Sequence, residues 1–119
     1  MFRSVLYAKI HRLKVTRTDL EYEGSITIAE DLLEAAGLLP GEKVHVLNVT
    51  NASRFETYVI AGKRGSGEVC LNGAAARLGM AGDLLIVLAY CLLDPKEIAS
   101  HRPRIVKVDS SNKVAAIES

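Results

Sequence analysis

The sequence has 119 residues, of which 49% are hydrophobic, and 15 basic and 14 acidic side chains leave a formal net charge of +1. This length predicts one domain whose core needs no disulfides. The balanced charge and the absence of Trp argue against disorder and against a nucleic-acid partner. Cys70 and Cys91 are too few for a disulfide framework and lack metal-ligand spacing, so we expect no metal and two buried, apolar cysteines.

The longest apolar run, from Leu84 to Leu93, is too short to span a bilayer, which takes about 20 residues. The N-terminal segment carries basic residues without an apolar stretch and does not have the pattern of a signal peptide. We therefore expect a cytoplasmic protein with no membrane partner.

The hydrophobic pattern predicts a mainly β protein with short helices. Runs of Val, Ile, Leu and Tyr interrupted by polar residues predict strands over 4–16, 25–28, 44–49, 55–61, 69–71, 84–92, 105–108 and 114–117. The run at 84–92 is so uniformly apolar that we expect both of its faces to be buried. Residues 17–25 are expected to form a loop or turn, and the glycine-rich residues 62–67 a loose connection.

Three short helices are expected between the strands. Thr27 and Glu30 have the spacing of a capping box for a helix of roughly eight residues. A second helix is expected to begin at Asn72 and Gly73, which would cap it, and a third to begin at Pro95. After each of the first two helices come a glycine, a turn with Gly and an acidic residue, and a strand. This internal repeat favours a small closed β-barrel built from two similar halves.

The dipeptide Gly24-Ser25 is open to two interpretations. The first is an ordinary turn, which most Gly-Ser pairs form. The second is a backbone that cleaves itself, because Gly tolerates strained dihedral angles and leaves its carbonyl open to the next hydroxyl. Attack would give an ester, elimination would leave dehydroalanine at position 25, and loss of ammonia would leave a ketone.

A second candidate group lies in the predicted strand around residues 54–58. Arg54, Glu56 and Tyr58 share one face of this strand, and Phe55 and Thr57 share the other. Surface charge on an amphipathic strand accounts for the pattern, and the opposite faces of Arg54 and Thr57 argue against a single site unless the strand bends. In the functional interpretation Arg54 is a carboxylate clamp and Tyr58 is a proton donor.

Two further segments each allow a structural and a functional interpretation. Asn72-Gly73-Ala74-Ala75-Ala76 predicts either a capped short helix or backbone N–H groups that face an anion beside small side chains. Lys9-Ile10-His11-Arg12 predicts either a basic strand surface or binding residues, and His11 has no partner at metal-ligand spacing.

Together these segments resemble a known family. Five motifs stand in the family's order and at matching spacings: Lys9-Ile10-His11-Arg12, Tyr22-Glu23-Gly24-Ser25, Asn48-Val49-Thr50-Asn51, Arg54-Phe55-Glu56-Thr57-Tyr58 and Asn72-Gly73-Ala74-Ala75-Ala76. The sequence closely resembles the bacterial aspartate α-decarboxylases that depend on a pyruvoyl group. The resemblance covers roughly residues 1–110 and carries little of the tail after Val108.

The resemblance implies a small closed double-psi β-barrel that assembles as a homotetramer with sites between subunits. It implies a proenzyme, a single domain over 1–119, that cleaves itself after Gly24 into a short β chain, 1–24, and a long α chain, 25–119. The α chain would begin with a pyruvoyl group formed from Ser25. A maturation factor is a further candidate partner.

The same resemblance implies roles for individual residues. Thr57 assists cleavage by hydrogen bonding at the Gly24 carbonyl, and Tyr58 donates a proton to the substrate. The residues that contact the substrate or line the pyruvoyl pocket are Lys9, Arg54, Thr57, Asn72, Gly73, Ala74 and Ala75. His11 and Tyr22 support the site.

The implied reaction converts L-aspartate to β-alanine and CO₂ through a Schiff base with the pyruvoyl group, and the β-alanine supplies pantothenate biosynthesis. The pyruvoyl group does the work that pyridoxal phosphate does in other enzymes, so neither pyridoxal phosphate nor a metal is expected.

Three alternatives stay open at the level of the sequence. Small barrels with glycine-acid turns also serve as binding modules, and a chain that stays uncut would favour that role. N-terminal nucleophile hydrolases also cleave before Ser, Thr or Cys, but their known members are larger α/β chains and keep a free amine at the new terminus. The third alternative is a proenzyme that has lost efficient cleavage.

Overall fold

Nine strands, two α-helices and one 3₁₀ helix make up the computed structural model, which describes residues 1–119. The strands are β1 (Arg3–Lys14), β2 (Arg17–Asp19), β3 (Ser25–Ala29), β4 (Lys43–Asn48), β5 (Arg54–Gly62), β6 (Val69–Asn72), β7 (Leu84–Leu93), β8 (Arg104–Val108) and β9 (Val114–Glu118). The helices are α1 (Glu30–Ala36), the 3₁₀ helix (Gly73–Leu78) and α2 (Pro95–Ser100). The prediction of a mainly β chain with short helices is confirmed. No helix has the length and apolar character needed to cross a membrane.

The strands follow one another in the order β2-β6-β3-β5-β4-β7-β1-β8-β9. Five strands, β6, β3, β5, β4 and β7, are neighbours in that order. The first of them, β6, pairs with β2, and the last, β7, pairs with β1, which directly precedes β2 in the chain. Only Val15 and Thr16 separate β1 from β2, and Thr16 N also donates to Val69 O at 2.8 Å. No ladder joins β2 to β9, so the circuit of strands closes through the covalent chain. This arrangement agrees with the expected small barrel.

Parallel ladders bring distant parts of the sequence side by side. β1 pairs in parallel with β8, β2 with β6, and β3 with β5, whereas the remaining ladders are antiparallel. Parallel neighbours need crossover connections rather than hairpins. As a result β3 lies between β5 and β6, and Ser25 at its first position stands opposite Asn72 at the end of β6.

The hydrophobic core fills the space inside the strands. Its largest fully buried side chains include Ile10, Leu13, Ile26, Ile28, Leu71 and Leu85 from the strands and Leu32 and Leu33 from α1. Burial of each such side chain contributes about 1.5–3 kcal/mol. This core holds β3 and β6 in register.

The expectation that β7 is buried on both faces is wrong for the single chain. Leu85, Val87 and Ala89 are buried, but the alternate side chains are half-buried or exposed. These alternate residues form an apolar strip that we call the β7 strip, namely Leu84, Ile86, Leu88, Tyr90 and Leu92. The strip stays open because no other element of the chain packs over it as a second layer.

The start of α1 also differs from the prediction. Its N-cap is Ala29, which makes no side-chain cap hydrogen bond, whereas Thr27 lies within β3. The Thr27 Oγ1 instead accepts a hydrogen bond from Asn72 Nδ2 at 2.9 Å. The capping box in this chain belongs to α2. Asp94 Oδ1 accepts a hydrogen bond from Glu97 N, and Glu97 Oε1 accepts one from Asp94 N, with Pro95 at the start of the helix.

The segments predicted as loops are more ordered than expected. Residues 17–25 contain β2, and the connection at 62–67 is held against its neighbours. Arg64 pairs with Glu30 and Glu34 of α1, and Gly65 N donates to Asp31 Oδ1 at 2.8 Å. The predicted connection without a strand or helix is confirmed at residues 63–68, and charged side chains on α1 hold it in place.

Candidate active site

Ser25 is fully buried and is hydrogen-bonded on two sides. Its Oγ donates to Glu23 O at 3.3 Å and accepts from Asn72 Nδ2 at 2.9 Å. The cross-strand register that sets Asn72 opposite Ser25 explains this contact. The hydroxyl is therefore held next to the Gly24-Ser25 peptide bond, with a fixed donor beside it.

A pocket of about 260 Å³ opens at the Gly24-Ser25 bond. Its lining comes from the β3 end, β5 and the 3₁₀ helix, and consists of Gly24, Ser25, Phe55, Glu56, Thr57, Ala74, Ala75 and Leu78. Thr57 is the one hydroxyl side chain in this lining besides Ser25. The structure thus brings together five of the residues that the sequence singled out, Gly24, Ser25, Thr57, Ala74 and Ala75.

Gly73 allows the 3₁₀ helix to pack directly on the backbone around Gly24. Its φ is +62°, and a Cβ there would lie 2.7 Å from Gly24 N and 2.8 Å from Tyr22 O. Only glycine fits this position. Gly24 itself has neither a left-handed φ nor any atom within 4 Å of its Cβ position. The steric constraint at this contact therefore falls on Gly73 and not on Gly24.

The motif that begins at Asn48 anchors the far end of the 3₁₀ helix. The carbonyl oxygen of Leu78 accepts hydrogen bonds from Asn48 Nδ2 at 3.2 Å, Asn51 Nδ2 at 2.9 Å and Ser53 Oγ at 3.0 Å. Three donors on one carbonyl hold the helix, and with it Ala74 and Ala75, against the pocket.

Asn72 lies beside Ser25 with both ends of its amide bonded. Nδ2 donates to Ser25 Oγ and Thr27 Oγ1, both at 2.9 Å, and Oδ1 accepts from Cys70 Sγ at 3.1 Å. The predicted capping role of Asn72 is wrong, because its side chain faces the ladder and makes no cap hydrogen bond. Sequence reasoning missed Thr27 and Cys70, although the two-residue period of strands sets Thr27 on the face of Ser25 and Cys70 on that of Asn72.

The remaining predicted residues lie on a second surface. Across β1, β7, β4 and β5 the register aligns one row through Lys9, Leu88, His45 and Glu56, and a second row through His11, Ile86, Leu47 and Arg54. Each row spans three strand spacings, about 14 Å. We call this surface, together with the adjacent Tyr58, the outer face.

The outer face meets the pocket of the same chain at Glu56, which belongs to both, but the predicted site residues on it lie outside the pocket. Lys9, His11, Arg54 and Tyr58 are absent from the pocket lining. Along β5, Arg54 and Tyr58 are exposed while Thr57 is half-buried, so the predicted alternation of faces is confirmed. Tyr22 is half exposed and touches the site through its backbone at Gly73.

The charges of the outer face are mainly positive and unpaired. Lys9 and Arg54 form no ion pair within the chain. Burial, with the nearby charges of Lys9, Arg12 and Lys107, lowers the pKa of His11, whose Nδ1 is buried without a hydrogen-bond partner. The outer face therefore offers two free cations next to a neutral imidazole.

Glu56 is the acidic residue of this surface. Lys43 Nζ lies 3.0 Å from its carboxylate, and this contact lowers the pKa of Glu56. Its charge is thereby compensated locally. No three His, Cys, Asp or Glu side chains are grouped as a metal ion requires.

Comparison with known proteins identifies the family to which this site belongs. The family model described as aspartate decarboxylase matches residues 1–115. This chain belongs to the aspartate decarboxylase family. The resemblance predicted from the five motifs is thus confirmed, and the match extends past Val108. Membership makes the chain a decarboxylase, an enzyme of the lyase class.

Three relatives show how extensive the similarity is, and each is named aspartate 1-decarboxylase. The protein of Neisseria meningitidis is 57% identical over 117 residues, which cover 98% of this chain and 92% of the relative. That of Caldicellulosiruptor saccharolyticus is 57% identical over 117 residues, 98% of this chain and 91% of the relative. That of Salinibacter ruber is 61% identical over 111 residues, 93% of this chain and 76% of the relative.

Proposed function

We propose that this chain decarboxylates L-aspartate to β-alanine and CO₂ with a pyruvoyl group made from its own Ser25. The observation that carries the proposal is the buried Ser25 hydroxyl, held beside the Gly24-Ser25 bond at the mouth of a small pocket. The relatives, which are named aspartate 1-decarboxylase, support L-aspartate as the substrate.

Formation of the group begins with attack of Ser25 Oγ on the Gly24 carbonyl carbon. The new C–O bond forms, the peptide C–N bond breaks, and the hydroxyl proton passes to the Ser25 nitrogen. Loss of the Ser25 α-proton then expels the Gly24 carboxylate and leaves dehydroalanine. Water adds, ammonia leaves, and the products are residues 1–24 and a chain 25–119 that begins with a ketone.

Two side chains assist this cleavage in the proposal. Thr57 lines the pocket with Gly24 and donates its hydroxyl hydrogen to the Gly24 oxygen as negative charge develops there. One such donor is worth about 10²–10³ in rate. Asn72 Nδ2, at 2.9 Å from Ser25 Oγ, stabilises charge on the attacking oxygen.

The residues around position 25 fit a pyruvoyl group. Ala74 and Ala75 leave space in the pocket, and the Asn72 donor suits a group whose oxygens only accept hydrogen bonds. When present, the group supplies an electrophilic carbonyl for the substrate amine and an electron sink for the carbanion that CO₂ leaves. The proposal requires neither a metal nor pyridoxal phosphate.

We assign substrate recognition to the outer face of a second copy. Arg54 binds the carboxylate that stays on the product, because its planar fork matches a carboxylate, and Lys9 binds the other carboxylate. Tyr58 donates the proton that replaces CO₂. His11 and Tyr22 support these residues. Lys9, His11, Arg54 and Tyr58 do not line the pocket of their own chain, which supports sites between subunits.

The β7 strip supports assembly of the chain into a homotetramer. Its five apolar side chains run along β7 through the middle of the outer face, with Lys9 on β1 to one side and Arg54 on β5 to the other. A continuous apolar patch of this kind is typical of an interface between subunits. Association over the strip would bring the outer face of one copy to a neighbouring copy.

The activity is tested by incubating the purified protein with L-aspartate and following β-alanine by NMR. The wild-type protein is expected to form β-alanine, and Ser25→Ala is expected to form none. Absence of β-alanine from fully cleaved wild-type protein would rule out L-aspartate as the substrate.

The intersubunit site is tested by co-expressing Ser25→Ala with Arg54→Ala. Each variant alone lacks one half of the site and is expected to be inactive. Mixed oligomers are expected to regain a measurable part of the activity, because some sites combine an intact position 25 with an intact Arg54. Persistent inactivity of verified mixed oligomers would place both halves of the site in one chain.

In the cell we propose a cytoplasmic role in supplying β-alanine for pantothenate biosynthesis, with a maturation factor as a candidate partner. A strain that requires β-alanine provides the test. Expression of the wild-type chain is expected to restore growth, whereas expression of Ser25→Ala is not.

A further inference from the structure

Ser25, Thr27, Cys70 and Asn72 form one cluster on the antiparallel ladder between β3 and β6. The register pairs Ser25 with Asn72 and Thr27 with Cys70. Residues two apart in a strand point to the same face, so these two pairs are neighbours on one face of the ladder. Ser25, Cys70 and Asn72 are buried, which excludes water as an easy substitute for their hydrogen bonds.

The hydrogen bonds of this cluster are made with one orientation of the Asn72 amide. Both hydrogens of Nδ2 are used, one on Ser25 Oγ and one on Thr27 Oγ1, each at 2.9 Å. Oδ1 accepts from the Cys70 thiol, whose Sγ lies 3.1 Å away. Burial raises the pKa of Cys70, so the thiol keeps its hydrogen and acts as a donor.

The opposite orientation of the amide would have a chemical consequence at Ser25. Rotation by half a turn would take the Oδ1 acceptor away from the Cys70 thiol, leave the weakly accepting Sγ facing Nδ2, and set Oδ1 beside Ser25 Oγ. A carbonyl oxygen there would oppose the negative charge that forms on Oγ as its proton leaves, whereas an N–H stabilises that charge. The identity of residue 70 therefore bears on the reactivity of residue 25.

We propose that Cys70 is a positioning residue for self-cleavage, which acts by donating to Asn72 Oδ1 and so keeping Asn72 Nδ2 on Ser25 Oγ. This inference rests on the proposed cleavage of the Gly24-Ser25 bond. Cys70 touches neither the bond that breaks nor the pocket, and it works only through Asn72.

The test compares cleavage rates in protein from a short pulse of cell-free synthesis, with the 25–119 fragment followed by intact mass. Cys70→Ala removes the donor and is expected to slow cleavage about tenfold, the value of one neutral hydrogen bond. Cys70→Ser restores a donor and is expected to stay within about twofold of wild type on the same scale. Cys91→Ala is the control, because this second free cysteine lies outside the cluster.

Cys70→Val fills the site with an apolar side chain that has no donor, and it replaces Cys70→Ala if thermal unfolding shows that the latter is not folded. Cleavage at the wild-type rate in folded Ala or Val variants would overturn the role of Cys70, as would equal slowing in the Ser variant. A wild-type chain that stays uncut would instead overturn the proposed cleavage itself.

Discussion

Gly73 lies so close to Gly24 that a Cβ on Gly73 would sit 2.7 Å from Gly24 N and 2.8 Å from Gly24 Cα. Real Cβ atoms essentially never approach other atoms to that distance. The start of the 3₁₀ helix and the bond proposed to be cut are thus packed backbone against backbone. The geometry of the pocket depends on the absence of a side chain at this one position.

Gly73→Ala is expected to destabilise the chain by about 1–3 kcal/mol, because the new Cβ meets backbone and the φ is left-handed. Cleavage is expected to slow with it, since the helix must move away from Gly24. Urea unfolding measures the stability. Gly24→Ala is the matched control and should leave the unfolding free energy nearly unchanged, because its Cβ meets nothing within 4 Å. Equal losses in the two variants would contradict the steric account.

Thr57→Val is expected to remain one uncut chain over the time in which the wild type is fully cleaved. Loss of the hydroxyl removes a donor worth about 10²–10³ in rate, while the shape of the side chain is kept. Intact-mass measurement after fixed times gives the fraction cut. Thr18→Val, on the exposed strand β2, serves as the control and should cleave normally. Prompt cleavage of Thr57→Val would remove Thr57 from this role.

Tyr58→Phe is expected to cleave itself normally and yet to form almost no β-alanine. The phenol hydroxyl acts on the substrate in the proposal, whereas cleavage uses residues of the pocket. Tyr90→Phe is a suitable control, because Tyr90 is 38% exposed and Tyr58 is 39% exposed. Full turnover by Tyr58→Phe, measured with the NMR assay, would exclude it as the proton donor.

His11 is expected to titrate below an unperturbed histidine, because burial and the charges of Lys9, Arg12 and Lys107 all lower its pKa. As the pH is lowered, the unfolded chain therefore protonates His11 before the folded chain does. The free energy of unfolding consequently falls as the pH drops below the ordinary histidine pKa. NMR titration of the ring should show the low pKa, and Lys9→Met should raise it. Lys63→Met, which is remote from these charges, should leave it unchanged; a rise there would contradict the assigned cause.

The strands were the part of the fold most accessible from the sequence. The two-residue hydrophobic period placed β1, β4 and β5 close to their observed bounds, because one face of each packs on the core. The start of α1 was predicted wrongly, since Thr27 has the spacing of a cap but is held in β3 by pairing with β6. Local spacing could not reveal that tertiary pairing.

The candidate active site could be predicted only in part, again because local spacing does not show which strands pair. The motifs identified the residues, but the sequence did not show that they divide between the pocket and the outer face. That division depends on the register of four strands. Asn112 is a further case: its buried side chain bonds Lys14 N at 2.9 Å and Gly67 O at 2.9 Å, across 98 and 45 residues. No local pattern marks such a contact.

The intact mass of the purified, denatured protein is the most direct test of the proposed pyruvoyl enzyme. Two fragments are expected, separated after Gly24, with the 25–119 fragment lighter by one ammonia than simple hydrolysis would produce. A 25–119 fragment at the hydrolysis mass would mean a free Ser25 and would contradict the pyruvoyl group. A single uncut chain would contradict self-cleavage and favour a binding role for this barrel.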